Sequence, residues 1–160
     1  MFKKLRSKLA LLTALAMMAQ VLPVQIMSVF AASAGDVVIN EIAWAGSNDN
    51  ANDEWIELYN RGSGAVDLSG WVIEDDASPS YKIVSGVIEP HGYFLIEDSE
   101  TVVSNVTADA VINLSLANAG DSLVLKDIGG VAIDTVNAGG AAWFAGNGTY
   151  KSSMERKDPD

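Results

Sequence analysis

Carboxylates recur in adjacent sets along this chain: Asp53-Glu54, Glu74-Asp75-Asp76 and Glu97-Asp98. Two carboxylates facing each other across a cleft, one with a raised pKa, are the machinery of glycoside hydrolysis. In so acidic a chain such sets also arise by chance, and spacing alone assigns them no reaction. The segment Asn48-Asp49-Asn50-Ala51-Asn52-Asp53-Glu54 is more specific, because it gathers carboxylate, amide and backbone oxygens in one loop. Those are the ligands that hard cations such as Ca²⁺ take. The loop lacks the glycine and the distal glutamate of an EF-hand. It is read as a polar hairpin loop or, alternatively, as a weak calcium site with Asp49, Asp53 and Glu54 as ligands. No other cofactor is expected.

Nucleophilic chemistry finds little support. The one histidine, His91, lies in Glu89-Pro90-His91-Gly92-Tyr93, a turn before a strand. A serine triad would need it as base, and no G-x-S-x-G elbow accompanies it. The chain has no cysteine, which removes thiolate catalysis and thiolate metal sites. Four tryptophans remain. Trp44, Trp55 and Trp71 adjoin or lie in apolar runs and are expected in the core. Trp143 and Phe144, in Ala141-Ala142-Trp143-Phe144-Ala145-Gly146, are the expected exposed contact residues.

The elements that would position these groups are short. Apolar runs alternate with clusters of Gly, Asn, Asp and Ser, the pattern of an all-β sandwich or barrel. Strands are predicted near 37–43, 54–60, 71–74, 81–84, 93–97, 122–126, 131–136 and 152–156. Ile56 and Leu58 alternate with Trp55, Glu57 and Tyr59, so that strand is expected buried on one side and partly covered on the other. Leu123 and Leu125 share a face, as do Val131 and Ile133 after the return. Gly129-Gly130 between them can take the positive φ of a tight hairpin. Residues 108–112 read as extended, and 116–121 as a turn into that hairpin.

The ends bear on location. Lys3, Lys4, Arg6 and Lys8 precede an apolar run from Leu9, and Ala32-Ser33-Ala34 offers a small-residue cleavage site. This is the layout of a secretory signal peptide, with cleavage expected before Gly35. The alternative, a retained anchor, has the length to span a bilayer but is interrupted by Gln20, Pro23 and Gln25. Residues 1–34 hold four basic residues and no acid, so residues 35–160, with 6 basic and 21 acidic residues, carry −15. Such a charge disfavours direct binding to nucleic-acid phosphates. An exported domain without disulfides must be held by its core, and residues 35–157 suffice for one.

The order of motifs resembles a lamin-tail domain. It runs from Val38-Ile39-Asn40-Glu41-Ile42 through Asp53-Glu54-Trp55-Ile56-Glu57-Leu58-Tyr59-Asn60 and Val66-Asp67-Leu68-Ser69-Gly70-Trp71. Next come Ile88-Glu89-Pro90-His91-Gly92-Tyr93-Phe94-Leu95, Leu114 to Leu125, Gly130 to Val136, Trp143 and Ser152-Ser153-Met154-Glu155-Arg156. The resemblance implies an immunoglobulin-like β-sandwich that serves as an interaction module. It is closest in character to exported bacterial members, which accompany surface proteins and secreted hydrolases. It supplies no catalytic residues. It implies that Glu41, Glu57 and Asn60 fix loops by hydrogen bonds and that Glu155-Arg156 belong to the last strand. Family members usually continue past this point, so residues 158–160 are either the end of a short last strand or a truncation. The expected function is a secreted or surface-associated, non-catalytic domain with a protein or cell-surface partner. The alternative is an accessory or carbohydrate-binding domain of a larger extracellular hydrolase.

Overall fold

A computed structural model of the protein describes residues 31–76, 80–99, 102–103 and 106–158. The basic and apolar stretch read as a signal peptide lies, over residues 1–30, outside these. The described residues contain eleven strands and no helix: β1 (Val37–Ala43), β2 (Trp55–Asn60), β3 (Val66–Asp67), β4 (Val72–Asp75), β5 (Tyr81–Lys82), β6 (Val87–Ile88), β7 (Tyr93–Glu97), β8 (Ala110–Val111), β9 (Leu123–Lys126), β10 (Ala132–Val136) and β11 (Met154–Glu155). One sheet has the order β11-β1-β2-β7-β8, the second β10-β9-β4-β5, and β3 pairs with β6 as a separate ribbon. All pairings are antiparallel except β7 with β8. The result is an immunoglobulin-like β-sandwich.

Alternation dictates the two layers. Ile56 and Leu58 from β2, Phe94 and Ile96 from β7, and Ile73, Leu123 and Leu125 from the second sheet fill one buried core with Trp71, Ile83 and Ile88. Each fully buried aliphatic or phenyl side chain contributes about 1.5–3 kcal/mol, which lets the domain dispense with disulfides. In β1 the apolar residues Ile39 and Ile42 are three apart, and strict alternation would turn one of them outward. A register shift between Ile39 and Glu41 inserts Asn40 as a bulge. Both isoleucines then point inward, each 1% exposed.

The strands predicted at 37–43 and 93–97 have those bounds. Others are shorter. The 81–84 run pairs as a strand only at Tyr81–Lys82, because Ile83 is engaged with Trp71 O and Gly70 N. The last run is cut to Met154–Glu155, because Ser152 pairs back on Asn147. The β9–β10 hairpin differs from the expected two-glycine turn. Only Gly130 has positive φ, at 81°. Gly130 N donates to Asp127 O, Asp127 N to Val131 O, and Asp127 Oδ1 accepts from Val131 N. This is a turn followed by a bulge. Val131 therefore belongs to the loop, exposed, and does not share the buried face of Ile133. Trp55 also departs from expectation. It is in phase with Glu57, opposite the Ile56–Leu58 face, so it lies half-buried on the outer side of the sheet.

Candidate functional site

The structure does not bring the three expected calcium ligands together. Asp53 closes its own loop: Oδ2 accepts from Ser47 Oγ at 2.5 Å and Oδ1 from Asn50 Nδ2 at 2.9 Å. Ser47 Oγ in turn accepts from the N–H groups of Asp49 and Asn50. The Asp49 residue is exposed. Glu54 is buried, and its Oε2 accepts from Leu116 N at 2.8 Å on the far side of the strand entry. Glu54 is therefore an interior anchor in this fold, and Asp49 and Asp53 alone remain on the loop.

What Glu54 anchors is a strap, residues 114–122, crossing one end of the sandwich. Asp98 Oδ1 accepts from Leu114 N at 2.9 Å, and Asp121 Oδ2 from Ala117 N at 3.1 Å. Asp76 Oδ1 accepts from Ser122 N at 3.2 Å. The Tyr81 hydroxyl accepts from Ser115 N at 3.1 Å and donates to Asp75 Oδ2 at 2.7 Å. Strand phase explains the gathering. Glu54 continues the inward face of Ile56 and Leu58, Asp98 that of Phe94 and Ile96, Asp75 that of Ile73, and Asp121 that of Leu123 and Leu125. Antiparallel pairing puts all four at one end of the core. That phase is present in the sequence as a two-residue spacing, which adjacency of the acids masks.

Burial pushes the Glu54 carboxyl up to about 7, against the pull of the Leu116 hydrogen bond, and Asp98, Asp121 and Asp75 add to the rise. Asp121 is also pushed up to about 7, by burial first and then by Asp75. Asp75, Asp76 and Asp121 bring one oxygen each within 4.8 Å of one another, the only such triple of metal-ligand types among the described residues. Their hydrogen bonds to Tyr81, Ser122 and Ala117 account for this arrangement as strap anchoring. His91 is remote from any such role, on an exposed turn with φ 54°.

The tryptophan pair divides. Trp143 is half-buried; it stacks on Trp44 with ring centroids 6.2 Å apart and planes 12° from parallel. Its Nε1 donates to Ala117 O at 2.8 Å, and Trp44 Nε1 to Ala145 O at 3.2 Å. Gly146, at φ +82°, packs so closely that a Cβ there would stand 2.6 Å from Trp44 Nε1. Trp143 is thus a clamp between its loop and the strap and not an exposed contact. Trp143→Ala is expected to cost about 2 kcal/mol of stability in urea unfolding; an unchanged midpoint would contradict the clamp. Phe144, beside it, is 74% exposed as expected.

Phe144 also lines a groove of about 370 Å³. Thr135, Val136 and Asn137 form one bank, Met154 to Lys157 the other, and Ile39 and Ile42 the floor. It opens where the edge of β10 faces the edge of β11. Salt-bridge geometry holds the banks: Arg156 reaches Asp134 Oδ2 at 2.6 Å and Ile39 O at 2.8 Å, and Asp134 Oδ2 accepts from Ile39 N.

The Lamin Tail Domain family model matches residues 31–140. The chain belongs to the lamin tail domain family. No curated protein matches it at a significant level. The family match ends before Trp143 and β11, yet in this lamin tail domain β11 completes the first sheet. Of the signature residues, Asn60 fixes a loop as the resemblance implied, whereas Glu57 binds Asn40 within the neighbouring strand and Arg156 stands just beyond β11. Asn60, fully buried, donates through Nδ2 to Gly64 O, Ile88 O and Glu89 O and accepts from Gly62 N. Glu57 accepts from Asn40 Nδ2 at 2.8 Å, and Glu41 accepts from Ser153 Oγ. Glu155 lies in the last strand, and Arg156 N donates to Asn40 O.

Proposed function

We propose that this lamin tail domain is an exported, non-catalytic interaction module that takes a protein or cell-surface partner in the groove between β10 and β11. The observation that carries the reading is Phe144: a phenyl ring 74% exposed, beside a groove of about 370 Å³, on a loop fixed by the Trp44–Trp143 stack. Exposed aromatics on rigid supports are the usual anchors of binding surfaces. The acids with raised pKa serve the strap and not a cleft, which favours binding over hydrolysis. The basic-apolar leader with its Ala32-Ser33-Ala34 site supports export. The charge of −15 on residues 35–160 argues against a nucleic-acid partner.

Phe144→Ala is expected to leave stability within about 0.5 kcal/mol of wild type while weakening capture of the partner from a cell-surface extract at least about tenfold. Retained capture would remove the groove from the function. A glycan array supplies the contrary arm: saturable sugar binding lost in the same variant would support the accessory-domain reading instead. N-terminal sequencing of the secreted protein tests the export step, with Gly35 as the expected first residue.

A further inference from the structure

The groove has an unusual acidic flank. Register places Glu155 opposite Glu41, and Glu41 opposite Glu57, so three glutamates stand in one cross-strand row on the outer face of the first sheet. Like charges directly opposite one another destabilise a sheet. Among the described residues the salt bridges are Lys126–Glu74 and Arg156–Asp134, and neither reaches this row. Glu57 is held above the usual carboxylate range, by burial first and then by the charges of Glu41 and Glu155. Asn40 ties the row to the groove. Asn40 lines the groove and is 5% exposed, its Nδ2 holds Glu57 of the row, and its Oδ1 is buried without a donor. A buried acceptor left unpaired destabilises the fold.

The backbone beside the row is also open. Arg156 N donates to Asn40 O at 2.9 Å. By antiparallel alternation the Glu41–Glu155 pair is then a non-hydrogen-bonded one, and the N–H and C=O of Glu155 face away from β1. β11 is the outermost strand of its sheet. A strand laid along it would find backbone partners at Glu155. Its side chains would alternate. One would stand over the glutamate row, and the next would enter the groove toward Met154, Val136 and Phe144.

We propose that an extended peptide segment of the partner adds to the free edge of β11, with a lysine or arginine over Glu155, Glu41 and Glu57 and an apolar residue beside it in the groove. This rests on the reading of the domain as an interaction module and specifies the chemistry of its ligand. Strand addition draws affinity from main-chain hydrogen bonds and specificity from alternate side chains. The cation relieves the like-charge row.

The test uses the purified protein and a capped hexapeptide alternating lysine and valine. Three comparison peptides replace lysine by glutamate, replace valine by serine, or carry N-methyl groups on alternate amides. Titration followed by backbone NMR is expected to show saturable binding of the lysine–valine peptide, with shifts at 135–137 and 154–157. Binding should weaken with salt. It should fall at least about tenfold in Glu41→Gln/Glu155→Gln, because close charge pairs carry coupling of more than 1 kcal/mol. All three comparison peptides should bind less well. No saturable shift at millimolar peptide, equal binding of the glutamate or N-methylated peptide, or shifts confined to another face would overturn the proposal. If the peptide fails while Phe144→Ala still abolishes partner capture, the interaction reading stands and this ligand chemistry does not. If both fail, the groove is not the binding site.

Discussion

The thermal midpoint of this domain is expected to fall by roughly 10 °C between pH 5 and pH 8.5. The cause is the strap end of the core. Glu54 and Asp121 are both pushed up to about 7, in each case chiefly by burial. In the unfolded chain they ionise at ordinary carboxylate values, 4.5 and 3.8. Between those values and about 7 the folded state binds protons that the unfolded state has released. Stability therefore falls as pH rises through this window and levels off above it. The stabilisation is fully present below the unfolded values. One such group accounts for about 3 kcal/mol, and because the two acids interact, their effects do not simply add. Self-repulsion of the −15 charge on residues 35–160 slopes the same way, but salt screens surface charge far more than buried charge. Glu54→Gln separates the two. Its amide oxygen can still accept from Leu116 N, and it carries no charge to desolvate. That variant is expected to melt higher than wild type at pH 8 by roughly 5 °C and to flatten the profile. A wild-type midpoint that rises from pH 5 to pH 8.5, measured calorimetrically, would refute the burial argument.

The same residues show how far the sequence could be read. Alternation in β2, β7 and β9 is legible because each carries apolar residues on a two-residue period and is bounded by turn formers, whereas in β1 the bulge at Asn40 breaks the period. β3 and β6 are not legible: two-residue strands have no period, and Val66 and Ile88 become core only when the ribbon folds over the sandwich. The loop neighbours of Glu54 suggest a cation ligand, whereas its place is set by the strand that follows it. A polar residue in phase with Ile56 and Leu58 must enter the end of the core and find a donor there. The donor, Leu116 N, is 62 residues away, and no local pattern announces it. Trp143 lies in a glycine- and alanine-rich loop, which predicts exposure. Its partner, Trp44, belongs to the far end of the chain, and the stack depends on Gly146 leaving room for an indole. The groove and the glutamate row likewise depend on register. Only the pairing of β1 with β2 and β11 sets Glu57, Glu41 and Glu155 side by side.

Asn60 is expected to be the most sensitive polar position in the domain. Asn60→Ala should lower the unfolding free energy by about 3–4 kcal/mol, read as a shift of the urea midpoint at unchanged slope. The residue ends β2 with no exposed surface. Its Nδ2 binds Gly64 O at 2.8 Å, Glu89 O at 3.0 Å and Ile88 O at 3.2 Å, and its Oδ1 binds Gly62 N at 2.9 Å. One amide thus ties the loop after β2 to the end of β6. Removing it leaves one buried carbonyl, two part-buried carbonyls and an N–H without this partner, and opens a cavity at a fully buried position. Asn60→Asp preserves the shape and isolates the polarity. At neutral pH it sets a carboxylate against three carbonyl oxygens, so it should destabilise more than alanine does and recover part of the loss when acid protonates it and restores a single donor. The exposed Asn52→Ala should stay within about 0.5 kcal/mol of wild type. Wild-type stability in Asn60→Asp at neutral pH would mean that the hydrogen bonds at this corner contribute nothing, and that packing alone closes the loop.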